Sequence, residues 1–115
     1  MPTASYTVTA NSSVAAYSVV HVPCIHETPF NVSFAVNVTT TAQYSVEHTF
    51  DNPFSVNLNA SVSAATWFQH EFVTTVSTNQ DGNYAFPVQG IRLKVFPNSD
   101  NGIATLTIVQ AGATR

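Results

Sequence analysis

Phe30-Asn31-Val32-Ser33-Phe34-Ala35-Val36-Asn37-Val38-Thr39 is the stretch on which the fold turns. Phe30, Val32, Phe34, Val36 and Val38 alternate with Asn31, Ser33, Ala35, Asn37 and Thr39. Successive side chains of an extended chain point to opposite faces, so this run reads as a strand with one face in a core and one in water.

The same period extends outward from it. Tyr44, Val46, His48 and Phe50 fall on one face of a second run, with Gln43, Ser45, Glu47 and Thr49 on the other, before the turn residues Asp51-Asn52-Pro53. The join Thr39-Thr40-Thr41-Ala42 is short enough for a hairpin. Ile91, Leu93 and Val95 alternate with Arg92 and Lys94, Pro97 to Gly102 supplies a turn, and Ile103 to Val109 follows, which reads as a terminal hairpin.

Weaker strands are expected over Tyr6 to Thr9, Val14 to Val22, Ser55 to Val62, Thr66 to Phe72 and Tyr84 to Phe86. Asn79-Gln80-Asp81-Gly82-Asn83 reads as a tight turn, because Asp-Gly tolerates positive φ. Pro23 and Pro29 enclose a loop. Good helix formers are scarce: Leu occurs only at 58, 93 and 106, and Lys only at 94. Short strands at this spacing predict an all-β fold, an antiparallel β-sandwich with jelly-roll connections, in a single domain spanning 1–115.

The composition sets bounds on that sandwich. For 12.4 kDa, the scaling of surface with mass gives roughly 6,100 Å² folded against about 18,000 Å² extended, enough burial for a core without disulfides or metal. Aromatic residues make up 11% of the chain, which also argues for a packed interior. Charged residues make up only 8% and the net charge is −3, so most of the outer surface is neutral. The cations are Arg92, Lys94 and Arg115, too few to neutralise a run of phosphates or hold an anionic bilayer, so nucleic acid and membrane are not expected as partners. Apolar runs are too short for a membrane-spanning helix, and the N-terminus lacks the basic and apolar regions of a signal peptide. The chain therefore reads as a complete product of cytosolic synthesis, with Cys24 unable to form an internal disulfide.

Chemistry-bearing groups are sparse. His21, Cys24, His26 and Glu27 are the densest set of ligand types, but their spacing matches no common zinc pattern and adjacent strand positions face opposite ways. No nucleophile elbow, phosphate loop or dinucleotide fingerprint is present. Neither a catalytic residue nor a cofactor is expected. Trp67 and Phe68, with Tyr84 and Phe86, would make either an aromatic platform for sugar rings or ordinary core packing. His48, in phase with Tyr44 and Val46, is expected to be an inward or interfacial imidazole with a hydrogen-bond partner.

Tyr44-Ser45-Val46-Glu47-His48-Thr49-Phe50-Asp51, Ala65-Thr66-Trp67-Phe68, Asp81-Gly82-Asn83-Tyr84-Ala85-Phe86-Pro87-Val88, Ile91-Arg92-Leu93 and Leu106-Thr107-Ile108-Val109-Gln110-Ala111-Gly112, taken in order, resemble small structural proteins of tailed bacteriophages. The resemblance covers roughly residues 30 to 112, and it is closest to head decoration, or cement, proteins. It implies a non-enzymatic protein on the outer capsid surface of the virion, assembled in the host cytoplasm. Its partners would be the major capsid protein and further copies of itself as a homodimer or homotrimer. The resemblance names no capsid-contacting side chains; the interface positions expected from the residues themselves are Arg92, Lys94, Trp67 and Tyr84, with Arg92 and Lys94 on the solvent side of their strand. The alternative is a tail- or fibre-associated module recognising host surface glycan through Trp67, Tyr84 and nearby Asn side chains.

Overall fold

The computed structural model describes residues 3–25, 30–39, 41–51, 65–98 and 102–110. Within them lie eight strands: β1 (Thr3–Thr9), β2 (Ala16–Tyr17), β3 (Val32–Val38), β4 (Tyr44–Thr49), β5 (Trp67–Gln69), β6 (Gln80–Tyr84), β7 (Gly90–Val95) and β8 (Ile103–Gln110). They form two four-stranded antiparallel sheets, ordered β1-β8-β3-β6 and β2-β7-β4-β5. This is jelly-roll connectivity, the sandwich the alternation predicts.

The alternation does its work in the core. Val32, Phe34 and Val36 of β3 and Ala104, Leu106 and Ile108 of β8 face Tyr44 and Val46 of β4 and Ile91, Leu93 and Val95 of β7, all buried. Burying each larger side chain of this set contributes about 1.5–3 kcal/mol relative to exposure. At one end the inward Gln110 amide clasps the Cys24 backbone, accepting from its N–H at 2.8 Å and donating to its carbonyl at 2.7 Å. The outward face of the first sheet is a lattice of hydroxyls. Ser5 and Thr107 oxygens lie 3.3 Å apart, and those of Thr7 and Thr105 3.1 Å apart.

Three local readings are corrected. The joins after β3 and after β7 are not hairpins, since each carries the chain from one sheet to the other. Two half-buried strands satisfy the same alternation whether they lie side by side or face to face across a core, so the period alone does not choose. Residues 79–83 do not form a tight turn. Gln80–Tyr84 is an edge strand paired with β3, and Gly82 sits opposite Phe34, where a Cβ would come within 2.9 Å of the ring. That glycine answers to a close approach of an aromatic ring, not to a turn.

The third correction concerns Val14 to Val22, where only Ala16–Tyr17 is strand. Ser18 interrupts the ladder, its Oγ accepting the Leu93 N–H at 2.9 Å, and pairing resumes at the His21–Ile91 bridge. Ser55 to Val62 lies outside the described residues.

Candidate functional site

Because Ile91, Leu93 and Val95 fill the core, Gly90, Arg92 and Lys94 face outward on β7. On neighbouring β4 the outward positions are Ser45, Glu47 and Thr49, and they are buried as well. Part of their cover is the chain after β5, whose Val73 and Val76 backbones bond Val46 and Tyr44. Three steps of chain there match two on β4, a bulge, with Thr75 at φ 54° donating its N–H to Ser45 Oγ at 2.8 Å. A β-branched residue in that region is strained, and the hydrogen bond helps to hold it.

The remaining cover comes from aromatic rings. Glu47 and Arg92 are direct cross-strand partners, and Arg92 Nε donates to Glu47 Oε1 at 2.8 Å, with side chains only 13% and 8% exposed. The guanidinium carbon lies 4.1 Å from the ring centre of Tyr17, which comes from β2 on one side, and 4.1 Å from that of Trp67, which comes from β5 on the other. Gly90 makes room for this. A Cβ there would fall 3.5 Å from the Trp67 ring and 3.0 Å from Val20. Lys94, opposite Tyr17 in register, places its ammonium 4.9 Å from the Phe96 ring.

A second cluster lies at the rim between β5 and β6. His48 points inward from β4, its Nδ1 2.9 Å from the Tyr84 hydroxyl. Around it stand Phe50, Phe68 and Phe86, with ring centres 5.4, 6.0 and 5.8 Å away. His70 is fixed as the Nε2–H tautomer. Its Nδ1 accepts from the Phe72 and Val73 amides at 3.1 and 3.2 Å, leaving Nε2–H to donate to the Asn83 carbonyl at 3.1 Å. Burial, with a smaller push from His70, holds the His48 pKa below the usual histidine value. Burial, aided by the Glu47 charge, raises that of Tyr84.

A cleft of about 340 Å³ opens here, lined by His48, His70, Glu71, Phe72, Asp81 and Phe86 among others. Its imidazoles already have partners, and the one on His70 is committed on both nitrogens. The surrounding rings leave Phe50, Phe68, Phe72 and Phe86 51%, 50%, 76% and 47% exposed. These rings offer apolar contact to a partner or ligand.

The expected interface residues divide accordingly. Arg92, Lys94 and Trp67 meet on one sheet face, whereas Tyr84 is 1% exposed and belongs to the core. Its phase in β6, opposite Val32, turns it inward, so it is no part of a surface platform. Tyr17 and Glu47 complete the Arg92 site. The outward phase of Glu47 is legible in the β4 alternation, but nothing local marks its pairing with Arg92.

Of the weighed metal ligands, His21 has its Nδ1 2.8 Å from the Tyr6 hydroxyl, and Cys24 takes part in the Gln110 clasp through its backbone. His26 and Glu27 lie outside the described residues. Among the described residues no three His, Cys, Asp or Glu side chains converge as a metal site.

No family model matches the chain, and no curated protein matches it. Several solved structures are similar to it, two of which are described. One is the CBM22-1-GH10 modules of endo-1,4-β-D-xylanase 10B from Clostridium thermocellum complexed with xylohexaose, at 12% identity and TM-score 0.40, covering 96% of this chain and 25% of that one. The other is a family 16 carbohydrate binding module-2, at 12% identity and TM-score 0.40, covering 87% of this chain and 72% of that one. The chain thus spans about a quarter of the xylanase chain.

Proposed function

We propose that this protein is a non-enzymatic decoration protein of a tailed-bacteriophage head, bound to the outer shell, where it bridges capsomers. The observation that carries the reading is the group of four half-exposed or more exposed phenylalanines on one rim, Phe50, Phe68, Phe72 and Phe86. Contiguous exposed aromatic surface on a charge-poor protein marks a face that another protein covers.

Two further features point the same way. Strand β1 lies at the edge of its sheet and contains no charged residue, although open edges are ordinarily guarded by charge. The outward hydroxyls of β1 and β8 form a neutral surface suited to close contact. Each copy contributes a modest area, and repetition over symmetry-related sites multiplies the effect. Purified protein is expected to bind expanded heads with saturable stoichiometry, and particles lacking it to release DNA at lower temperature. Unchanged head stability, or a location on the tail in virion images, would overturn the reading.

A second reading, glycan recognition, has its own support in the ring-flanked Arg92 on the second sheet's outward face. Aromatic walls around a fixed donor suit the apolar faces and hydroxyls of a sugar. Trp67 is the sole Trp, so sugar binding there is expected to change the protein's fluorescence directly.

A further inference from the structure

We propose that the outward face of β2-β7-β4-β5 binds a carboxylate-bearing sugar, with its carboxylate on the free edge of Arg92 beside Lys94 and its ring against Tyr17. This rests on the glycan-recognition reading and narrows it to one class of sugar.

A guanidinium has five N–H donors in a planar fork. In Arg92 the Nε–H goes to Glu47, and among the described residues no acceptor meets the four N–H of Nη1 and Nη2. Glu47 therefore holds the group from the side, leaving its far edge open. That edge has the geometry that takes both oxygens of a carboxylate at once. Tyr17 and Trp67 hold the plane in place before any ligand arrives, so little rotamer freedom remains to be lost on binding. Their rings also exclude water from the guanidinium faces, which strengthens the hydrogen bonds made at its edge.

The charges choose the kind of ligand and its direction. Arg92 and Lys94 lie two positions apart on one side of β7, about 7 Å along the strand. Glu47 cancels one of these two positive charges, so the face carries a net charge matched to a monoanion. Asp51 lies past the Thr49 end of β4, where its carboxylate accepts the Thr66 N–H. Lys94 lies at the opposite end, paired with Ser45. A carboxylate is thus drawn to the Lys94 end and repelled from the other. There Tyr17, 47% exposed and opposite Lys94, has one ring face on the guanidinium and offers its remaining exposed surface to the C–H groups of a pyranose ring.

The test is titration of the whole chain with galacturonate, glucuronate and sialic-acid-terminated trisaccharides and their neutral counterparts, followed by Trp67 fluorescence and calorimetry. At least one acidic sugar is expected to bind about tenfold or more tightly than its neutral partner, as loss of a charge-assisted hydrogen bond implies. That preference should shrink as salt is raised. Arg92→Gln should abolish it. Because that change also leaves Glu47 unpaired, Lys94→Gln and Tyr17→Ala serve as the variants expected to stay folded. Lys94→Gln should lower acidic binding alone, and Tyr17→Ala should lower both. Equal binding of acidic and neutral sugars, or acidic binding indifferent to Lys94→Gln, overturns the acidic assignment and leaves glycan recognition standing. No response to any of the sugars removes both.

Discussion

His48 Nδ1 and the Tyr84 hydroxyl meet at 2.9 Å, and they join strands of opposite sheets. The bond is buried, so neither group has water to fall back on. It ties the sheets together at the end of the sandwich where the aromatic rim is exposed. Tyr84→Phe keeps the ring and removes only the hydroxyl, leaving His48 Nδ1 without this partner. The expected loss is about 1–2 kcal/mol, or a fall in Tm of about 4 °C per kcal/mol for a chain of this size. Urea denaturation of the two proteins checks it, and an unchanged midpoint would mean that the bond contributes nothing net.

Acid should weaken the fold before any carboxylate is considered. Burial lowers the folded pKa of both His21 and His48 below the unfolded value of 6.5. The unfolded chain then binds protons more readily, so stability is complete above about pH 6.5 and declines as the pH falls from there through the lowered folded values. The tyrosines act in the opposite direction at the alkaline end. Burial pushes Tyr44 up to about 12 and raises Tyr84 too, so their contribution is full below pH 10 and is lost as the pH climbs through the folded values. Denaturation midpoints measured from pH 5 to 11 should trace a plateau with both shoulders, and His48→Gln should flatten the acid one.

Two glycines are expected to differ in their tolerance of alanine. At Gly82 the added methyl meets the ends of the Phe34 and His70 rings, side chains and not backbone. At Gly102 it overlaps the Thr41 carbonyl, so backbone must move. Gly82→Ala should cost about 1 kcal/mol and Gly102→Ala about 3 kcal/mol or more, as overpacking does when nothing can yield. Thermal melts of the pair give the order.

Phe72 separates folding from docking. It is 76% exposed, so Phe72→Ser should leave stability within about 0.5 kcal/mol. If the aromatic rim is the capsid contact, the same change should reduce binding to expanded heads severalfold. A variant that melts normally and binds heads normally would move the contact to another face.

Particular residues show what local sequence reveals. The inward phase of Val32, Phe34 and Val36, of Tyr44, Val46 and His48, and of Ile91, Leu93 and Val95 is legible from a period of two. So is the outward placement of Arg92 and Lys94. The Asp81-Gly82 pair misleads, because a glycine serves a turn and a cross-strand aromatic equally well. Tyr84 misleads for a similar reason: an aromatic in a short strand packs or protrudes according to which partner it pairs with.

By itself, then, the sequence determined an antiparallel sandwich of short strands with a neutral exterior, since alternation and charge are properties a single segment carries alone. Only the tertiary structure decided that β3 and β4 face each other across the core, that Tyr84 closes on His48, and that Tyr17 and Trp67 enclose Arg92 over Glu47. Those relations depend on strand order and register. They are fixed where distant segments, each adequate on its own, compete to bury their apolar faces together.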